Sequence, residues 1–194
     1  MDKFSYALGI GLGKNLKDLG VETINADDFS RAIVDVLSNN KKEIEDAEAR
    51  DIVNKTFAEL EGKRSTVAIE AGKQFLAENA KDPNIKTLPS GLQYEVLAEG
   101  NGKTPTANDQ VKCHYEGKLL DGTLFDSSIK RGEPAVFGVS QVIKGWVEAL
   151  QLMKEGSKWR LFIPSNLAYG EQGAGEMIPP HSTLIFEVEL IQVL

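Results

Sequence analysis

The chain holds few residues suited to covalent or metal chemistry: one cysteine, Cys113, and two histidines, His114 and His181. Cys113 and His114 are neighbours, and strand neighbours point to opposite faces, so they read as strand residues rather than a ligand pair. A structural zinc site and an internal disulfide are both excluded by the count. His181, between Pro180 and Ser182, reads as a turn histidine. There is no Gly-x-Ser-x-Gly elbow and no Ser, His, Asp grouping to support hydrolysis. The series Gly9, Gly11, Gly13, Lys14 fails as a phosphate loop, because Asn15 stands where Ser or Thr is needed and no strand precedes it. What remains is aromatic and apolar. In QVIKGWVEALQLM, Gln141 to Met153, residues Val142, Trp146, Val147, Leu150 and Met153 recur at helical spacing, which predicts a short amphipathic helix. A Trp at the start of that helix floors a concave apolar site.

The elements around that helix read as strands and turns. Leu92, Tyr94 and Val96 alternate, as do Val111, Cys113, Tyr115 and Gly117, and Asp121-Gly122 is a strong hairpin signal before Thr123-Leu124-Phe125. Gly156-Ser157 leads into a strand from Lys158 to Ile163, Pro164 ends it, a glycine-rich loop runs from Tyr169 to Gly175, and Thr183 to Leu194 closes the chain as a strand. One helix laid across a bent antiparallel sheet buries both.

The first 83 residues read as helices instead. Phe4, Leu8, Leu12, Leu16 and Leu19 form one stripe that stops at Gly20; Asn25 caps a second helix with Phe29, Ala32, Ile33, Val36 and Leu37 on its apolar face. A third segment, about Lys41 to Asn79, contains no proline and predicts a helix of roughly 55–60 Å. Its charged middle, Glu59 to Ser65 with Gly62, reads as a solvated strut ended by Asp82-Pro83. Two short helices and the start of a strut cannot bury their apolar faces alone, so residues 1–55 are expected to pair with a second copy, in preference to an intramolecular three-helix bundle. The expectation is an α+β protein: a helical dimerisation domain (1–83) that includes the long connecting helix (41–79), and a C-terminal antiparallel-sheet domain (84–194).

Composition narrows the partners. A net charge of −7 without a basic cluster argues against nucleic acid. No run approaches the roughly 20 apolar residues of a bilayer span, and MDKFSYALGIGLGKNL lacks the apolar core of a secretory signal. The cytoplasm is the expected compartment, with the periplasm or export as the alternative for a chain lacking its signal segment.

Four stretches, DQVKCHYEGKLLDGTLFDSS (Asp109 to Ser128), VFGVSQVIKGWVEALQLMKEG (Val136 to Gly156), IPSNLAYGEQGAG (Ile163 to Gly175) and IPPHSTLIFEVELIQV (Ile178 to Val193), resemble in order and spacing the FKBP-type peptidyl-prolyl isomerases. The helical first half resembles the Mip-like branch, whose members dimerise through their N-terminal helices. The resemblance implies prolyl cis-trans isomerisation in unfolded or flexible polypeptides, with no cofactor and no metal, and chaperone activity as a dimer. It implies a substrate pocket of Tyr115, Phe125, Asp126, Phe137, Val142, Ile143, Tyr169, Ile178 and Phe186 with Trp146 as floor. Of these, the Ile143 backbone N–H and the Tyr169 hydroxyl are implied donors to substrate carbonyls, and Asp126, with Tyr115, faces the rotating amide. Taken singly, Phe125, Phe186 and Trp146 read as core residues, and the ordered set reverses that; capping a turn is the alternative role for Asp126. Ala135 and Ala174 depart from the family pattern at the rim, which bears on substrate preference and on the affinity of the macrolide inhibitors expected to bind the pocket. The other readings are a non-catalytic module or holdase chaperone gripping proline segments, and a structural protein that inherits the fold; a near-complete pocket favours the enzyme.

Overall fold

A computed structural model describes all residues from Met1 to Leu194, in two compact units, Met1–Thr66 and Val67–Leu194.

The first unit holds helix α1 (Lys3–Asp18), helix α2 (Ala26–Leu37) and the beginning of α3 (Asp46–Asn79). Asp2 caps α1 by accepting from the Ser5 N–H at 2.7 Å, and Gly20, at φ 87°, stops it in the left-handed conformation that favours glycine. Asn25 caps α2 as expected, accepting from Asp27 and Asp28 N–H. The Arg64 guanidinium donates to the Asp18 carbonyl at 2.7 Å, satisfying one of the orphan acceptors at the end of α1. Helix α3 runs through Gly62 without a break, but it starts at Asp46 rather than near Lys41. Asp46 and Glu48 place negative charge in its first turn, where the helix dipole favours it, and Lys42 pairs with Asp46 from outside the helix. No residue of Met1–Thr66 is buried, and Phe4, Leu8, Leu12, Phe29 and Ile33 all face solvent.

The second unit begins inside α3, within the expected helical domain of residues 1–83, and the end of that helix packs on the sheet. Gly72, the one buried residue of α3, lies against Thr183; the Phe75 and Phe162 rings are 5.8 Å apart; Asn79 Nδ2 donates to Gln93 Oε1 at 2.8 Å. Seven antiparallel strands follow: β1 (Ile85–Thr87), β2 (Gln93–Ala98), β3 (Gln110–Leu119), β4 (Leu124–Ser127), β5 (Ala135–Gly138), β6 (Lys158–Ile163) and β7 (Leu184–Val193). Their order is β1-β2-β6-β7-β3-β4, with β5 beside β4 on the free edge of β3. Strand β3 is thus paired along one side with β7 and divided on the other, β5 taking residues 110–113 and β4 residues 116–118.

Side chains of β3 alternate strictly, with Val111, Cys113 and Tyr115 buried, and β7 does the same with Leu184, Phe186, Val188 and Leu190. The buried face receives the central helix, α5, which spans only Lys144–Leu150. The expected start at Gln141 is corrected because a 3-10 turn, Val139–Gln141, precedes it and Val142 and Ile143 are extended, at ψ 176° and 150°. A further short helix, α4 (Ser128–Arg131), is capped by Ser127, so the capping role considered for Asp126 belongs to the next residue. On the opposite face, Arg160 bridges Glu95 and Glu187 at 2.9 and 2.8 Å across three strands.

Gly145 marks the closest approach of α5 to the sheet: a Cβ there would stand 2.5 Å from the Ile163 Cγ2 methyl. An alanine would gain about 1 kcal/mol of helix propensity, but overpacking against a fully buried, branched side chain costs about 1–3 kcal/mol. Gly145→Val, which adds bulk without the propensity gain, is expected to destabilise the second unit by about 3 kcal/mol, read as a lower urea midpoint at unchanged slope.

Candidate functional site

The ten residues implied by the sequence resemblance all line one cavity of about 730 Å³. Its floor is the Trp146 indole, 4% exposed, held by α5. Three rings meet it nearly edge-on: Phe186 at 5.3 Å and 82°, Tyr115 at 5.4 Å and 86°, and Phe137 at 5.7 Å and 80°. Phe125 stands edge-on to Phe186 at 5.5 Å. Such geometry sets the positive edge of one ring against the negative face of another. The strands supply these rings by alternation: Tyr115 from β3, Phe125 from β4, Phe137 from β5 and Phe186 from β7. Gly117, between them on β3, is a requirement that strand periodicity does not reveal. A Cβ there would meet the Phe125 ring at 2.5 Å and the Phe186 ring at 2.7 Å.

Val142 and Ile143 line the wall from the extended segment before α5. Because Ile143 precedes the helix rather than sitting within it, its N–H donates to no carbonyl of the chain. Tyr169 comes from the glycine-rich loop and Ile178 from the segment that follows it. Ile178 is buried, and it exchanges two backbone hydrogen bonds with Ala174, of 2.8 and 3.1 Å.

One side of the cavity is polar. The Tyr115 hydroxyl donates to Asp126 Oδ2 at 2.6 Å, Arg131 pairs with Asp126 Oδ1, and Arg131 Nη2 donates to the Tyr115 hydroxyl at 2.7 Å. The guanidinium also lies 5.5 Å from the centre of the Tyr115 ring. Arg131 had no distinguishing signal in the sequence; only the turn of α4 brings it back beside a residue five positions earlier. Ser128, fully buried, fixes Tyr115 by accepting from its N–H at 2.7 Å and donating to its carbonyl at 3.2 Å. Gln141, Ala174, Gly175, Glu176 and Met177 also line the cavity. Of these only Ala174 stood out in the sequence, as a departure at the rim.

Nucleophilic chemistry has no candidate here. Burial pushes the Cys113 thiol up to about 12 and points it into the core, and no group of three or more His, Cys, Asp or Glu residues lies close enough together to hold a metal ion.

Residues 101–191 match the family of FKBP-type peptidyl-prolyl cis-trans isomerases, and residues 1–96 match the domain found amino-terminal to them. The chain is 45% identical over 197 residues to the FKBP-type 22 kDa peptidyl-prolyl cis-trans isomerase of Escherichia coli strain K12, covering 98% of this chain and 94% of that protein. The chain belongs to the FKBP-type peptidyl-prolyl cis-trans isomerases. This isomerase is also 43% identical to the outer membrane protein MIP of Legionella longbeachae, over 99% of its own length and 85% of the relative's. Its fold matches the crystal structure of FkpA from Escherichia coli with a TM-score of 0.78 at 35% identity, over 98% and 95% of the two chains.

The charges of the cavity are set by its geometry. Partial burial pushes the Asp126 carboxyl up, but the hydrogen bonds from Tyr115 and Arg131 together outweigh it and hold the group below its ordinary value of 3.8. Burial, followed by the Asp126 charge, raises the Tyr169 hydroxyl above its ordinary 10.0; burial and the bond to Asp126 raise Tyr115 against the opposing pull of Arg131. Asp126 therefore stays ionised and both tyrosines stay protonated across the physiological range. Since the Asp126 value is depressed in the folded chain, its contribution is complete above the ordinary carboxylate pKa and is lost only as pH falls through the depressed value. The expected kcat/KM profile is flat from about pH 5 to 9 and declines only as pH falls below the ordinary carboxylate range. An inflection at about pH 7 in that profile would contradict this assignment.

Proposed function

We propose that this isomerase holds an Xaa-Pro segment of an unfolded or flexible polypeptide in the aromatic cavity and lowers the barrier to rotation about its imide bond. Unaided, that barrier is roughly 18–20 kcal/mol, and rotation takes tens to hundreds of seconds. The barrier is amide resonance, which weakens as the C–N bond twists. The planar ground state has the larger dipole, so an apolar enclosure disfavours it more than the twisted form. Trp146, Tyr115, Phe137 and Phe186 supply that enclosure around the proline ring. The Ile143 N–H and the Tyr169 hydroxyl donate to substrate carbonyls, and Asp126, steadied by Tyr115 and Arg131, orients the rotating amide without transferring a proton, since twisting requires none. Phe125, Val142 and Ile178 complete the walls. The observation that carries this reading is the convergence of all ten residues on one cavity with the ionised Asp126 carboxylate at its polar side. Macrolide inhibitors of the family are expected to occupy the same space.

The test is the cis-trans exchange rate of a Leu-Pro or Phe-Pro peptide, followed by NMR with catalytic amounts of the full-length protein. Asp126→Ala and Tyr169→Phe are each expected to lower kcat/KM by about tenfold, equivalent to about 1.4 kcal/mol of transition-state stabilisation. Full efficiency in both folded variants would remove these residues from the mechanism. A folded wild-type protein that binds such peptides without accelerating exchange would favour a binding module or holdase.

Residues 1–55 form a homodimer interface in this reading. The support is the unit Met1–Thr66 itself, which buries none of its side chains while Phe4, Leu8, Leu12, Phe29 and Ile33 stay exposed. A second copy, carrying the same stripes, is the partner that satisfies both at once. Dimerisation puts two cavities in one particle and supports a folding-helper activity on long clients. Sedimentation equilibrium is expected to give twice the 21.2 kDa chain mass, and the pair Leu8→Glu and Leu12→Glu to shift it towards monomer and to reduce refolding of a protein client while leaving peptide isomerisation intact. A monomeric wild type at tens of micromolar, or undiminished refolding by the monomeric variant, would contradict the dimer reading. No helix is long and apolar enough to cross a membrane. The Legionella longbeachae relative is an outer membrane protein by name, which supports the cell envelope over the cytoplasm as the compartment.

A further inference from the structure

The loop closing the cavity carries a charge that the isomerisation chemistry does not use. Ala174 and Ile178 exchange backbone hydrogen bonds of 2.8 and 3.1 Å, which makes Gly175, Glu176 and Met177 the tip of a tight hairpin. Ile178, 7% exposed, anchors one end of that hairpin in the core, and Gly175 at φ 54° turns the tip. All three tip residues line the cavity; Glu176 and Met177 are exposed to solvent as well.

The cavity lining contains two carboxylates, Asp126 and Glu176. Asp126 is paired with Arg131 and accepts from Tyr115, so its charge is largely compensated. Glu176 takes part in none of the ion pairs of the chain. An uncompensated carboxylate is therefore the principal charge facing a polypeptide that enters the cavity. Beside it, the Met177 thioether, 50% exposed, offers an adaptable apolar surface. A carboxylate next to a soft apolar surface suits a long side chain with an aliphatic stem and a cationic head.

We infer that Glu176 makes this isomerase select clients with a lysine or arginine directly before or directly after the isomerising proline, Met177 packing against the stem of that side chain. The inference rests on the proposed binding of the Xaa-Pro segment in this cavity. Because the contact forms equally in the planar and twisted states, it acts on binding, so the preference falls in KM rather than kcat.

The experiment measures NMR exchange catalysis by the full-length protein on peptides that differ only in the residue before, or the residue after, the proline, with Lys, Glu or Leu at that place. For at least one of the two places, the Lys to Glu ratio in kcat/KM is expected to be roughly fivefold in low salt, carried by KM, and to shrink in 1 M NaCl. In Glu176→Gln the ratio should fall to about one, and in Glu176→Lys it should invert. A wild-type ratio near one at both places, with the Leu peptide still accelerated, overturns the inference and leaves the cavity reading intact. A ratio that survives Glu176→Gln overturns it too, assigning the preference to the overall negative charge of −7. Failure to accelerate the Leu peptide at all overturns the cavity reading and this inference with it.

Discussion

Burial of the Trp146 indole is the interaction on which the second unit turns. A fully enclosed Trp removes roughly 150–250 Å² from water, worth on the order of 5 kcal/mol. Its indole N–H has no acceptor among the groups of the chain, which costs about 1–3 kcal/mol. The first magnitude exceeds the second, so the ring is retained in an apolar floor despite its orphan donor. The same ring dictates its surroundings. Phe186, Tyr115 and Phe137 can each meet it edge-on only if β7, β3 and β5 bend round α5, and α5 can come so near only because Gly145 leaves room for Ile163.

Strand β3 links that core to the polar side of the site. Its alternation sends Tyr115 into the cavity, and the Tyr115 hydroxyl is the point where the apolar floor meets the Asp126 and Arg131 pair. An isolated carboxylate beside an aromatic cavity would drift towards its neutral form as it lost water. Two charge-assisted bonds, one from a guanidinium, reverse that tendency. A carboxylate held on both oxygens presents a fixed charge at the cavity wall.

The first unit stands in contrast. Its helices are correctly capped and carry apolar stripes, yet none of their side chains is buried. Capping and propensity define where a helix starts and stops, contributing about 1 kcal/mol at each end, but stability in water comes from packing an apolar face.

Local signals in the chain were enough for the elements whose cause is local. The cap Asn25 acts through hydrogen bonds to the next turn, the Asp121-Gly122 hairpin through Gly122 at φ 86°, and the strands β3 and β7 through period-two burial; each is settled within a few residues. The ten cavity residues were legible as an ordered set matching a family, though any one of them alone reads as core. Tertiary structure decided what depends on residues far apart. Arg131 reaches Asp126 only through α4, Gly117 is required by rings from two other strands, and Glu176 gains its place at the cavity mouth from the Ala174 and Ile178 pairing. Helix α5 shortened because its first expected turn is held extended, and the second unit takes in the end of α3, where Gly72 and Phe75 pack on the sheet. Periodicity records which face of an element is buried; it carries no record of what that face is buried against.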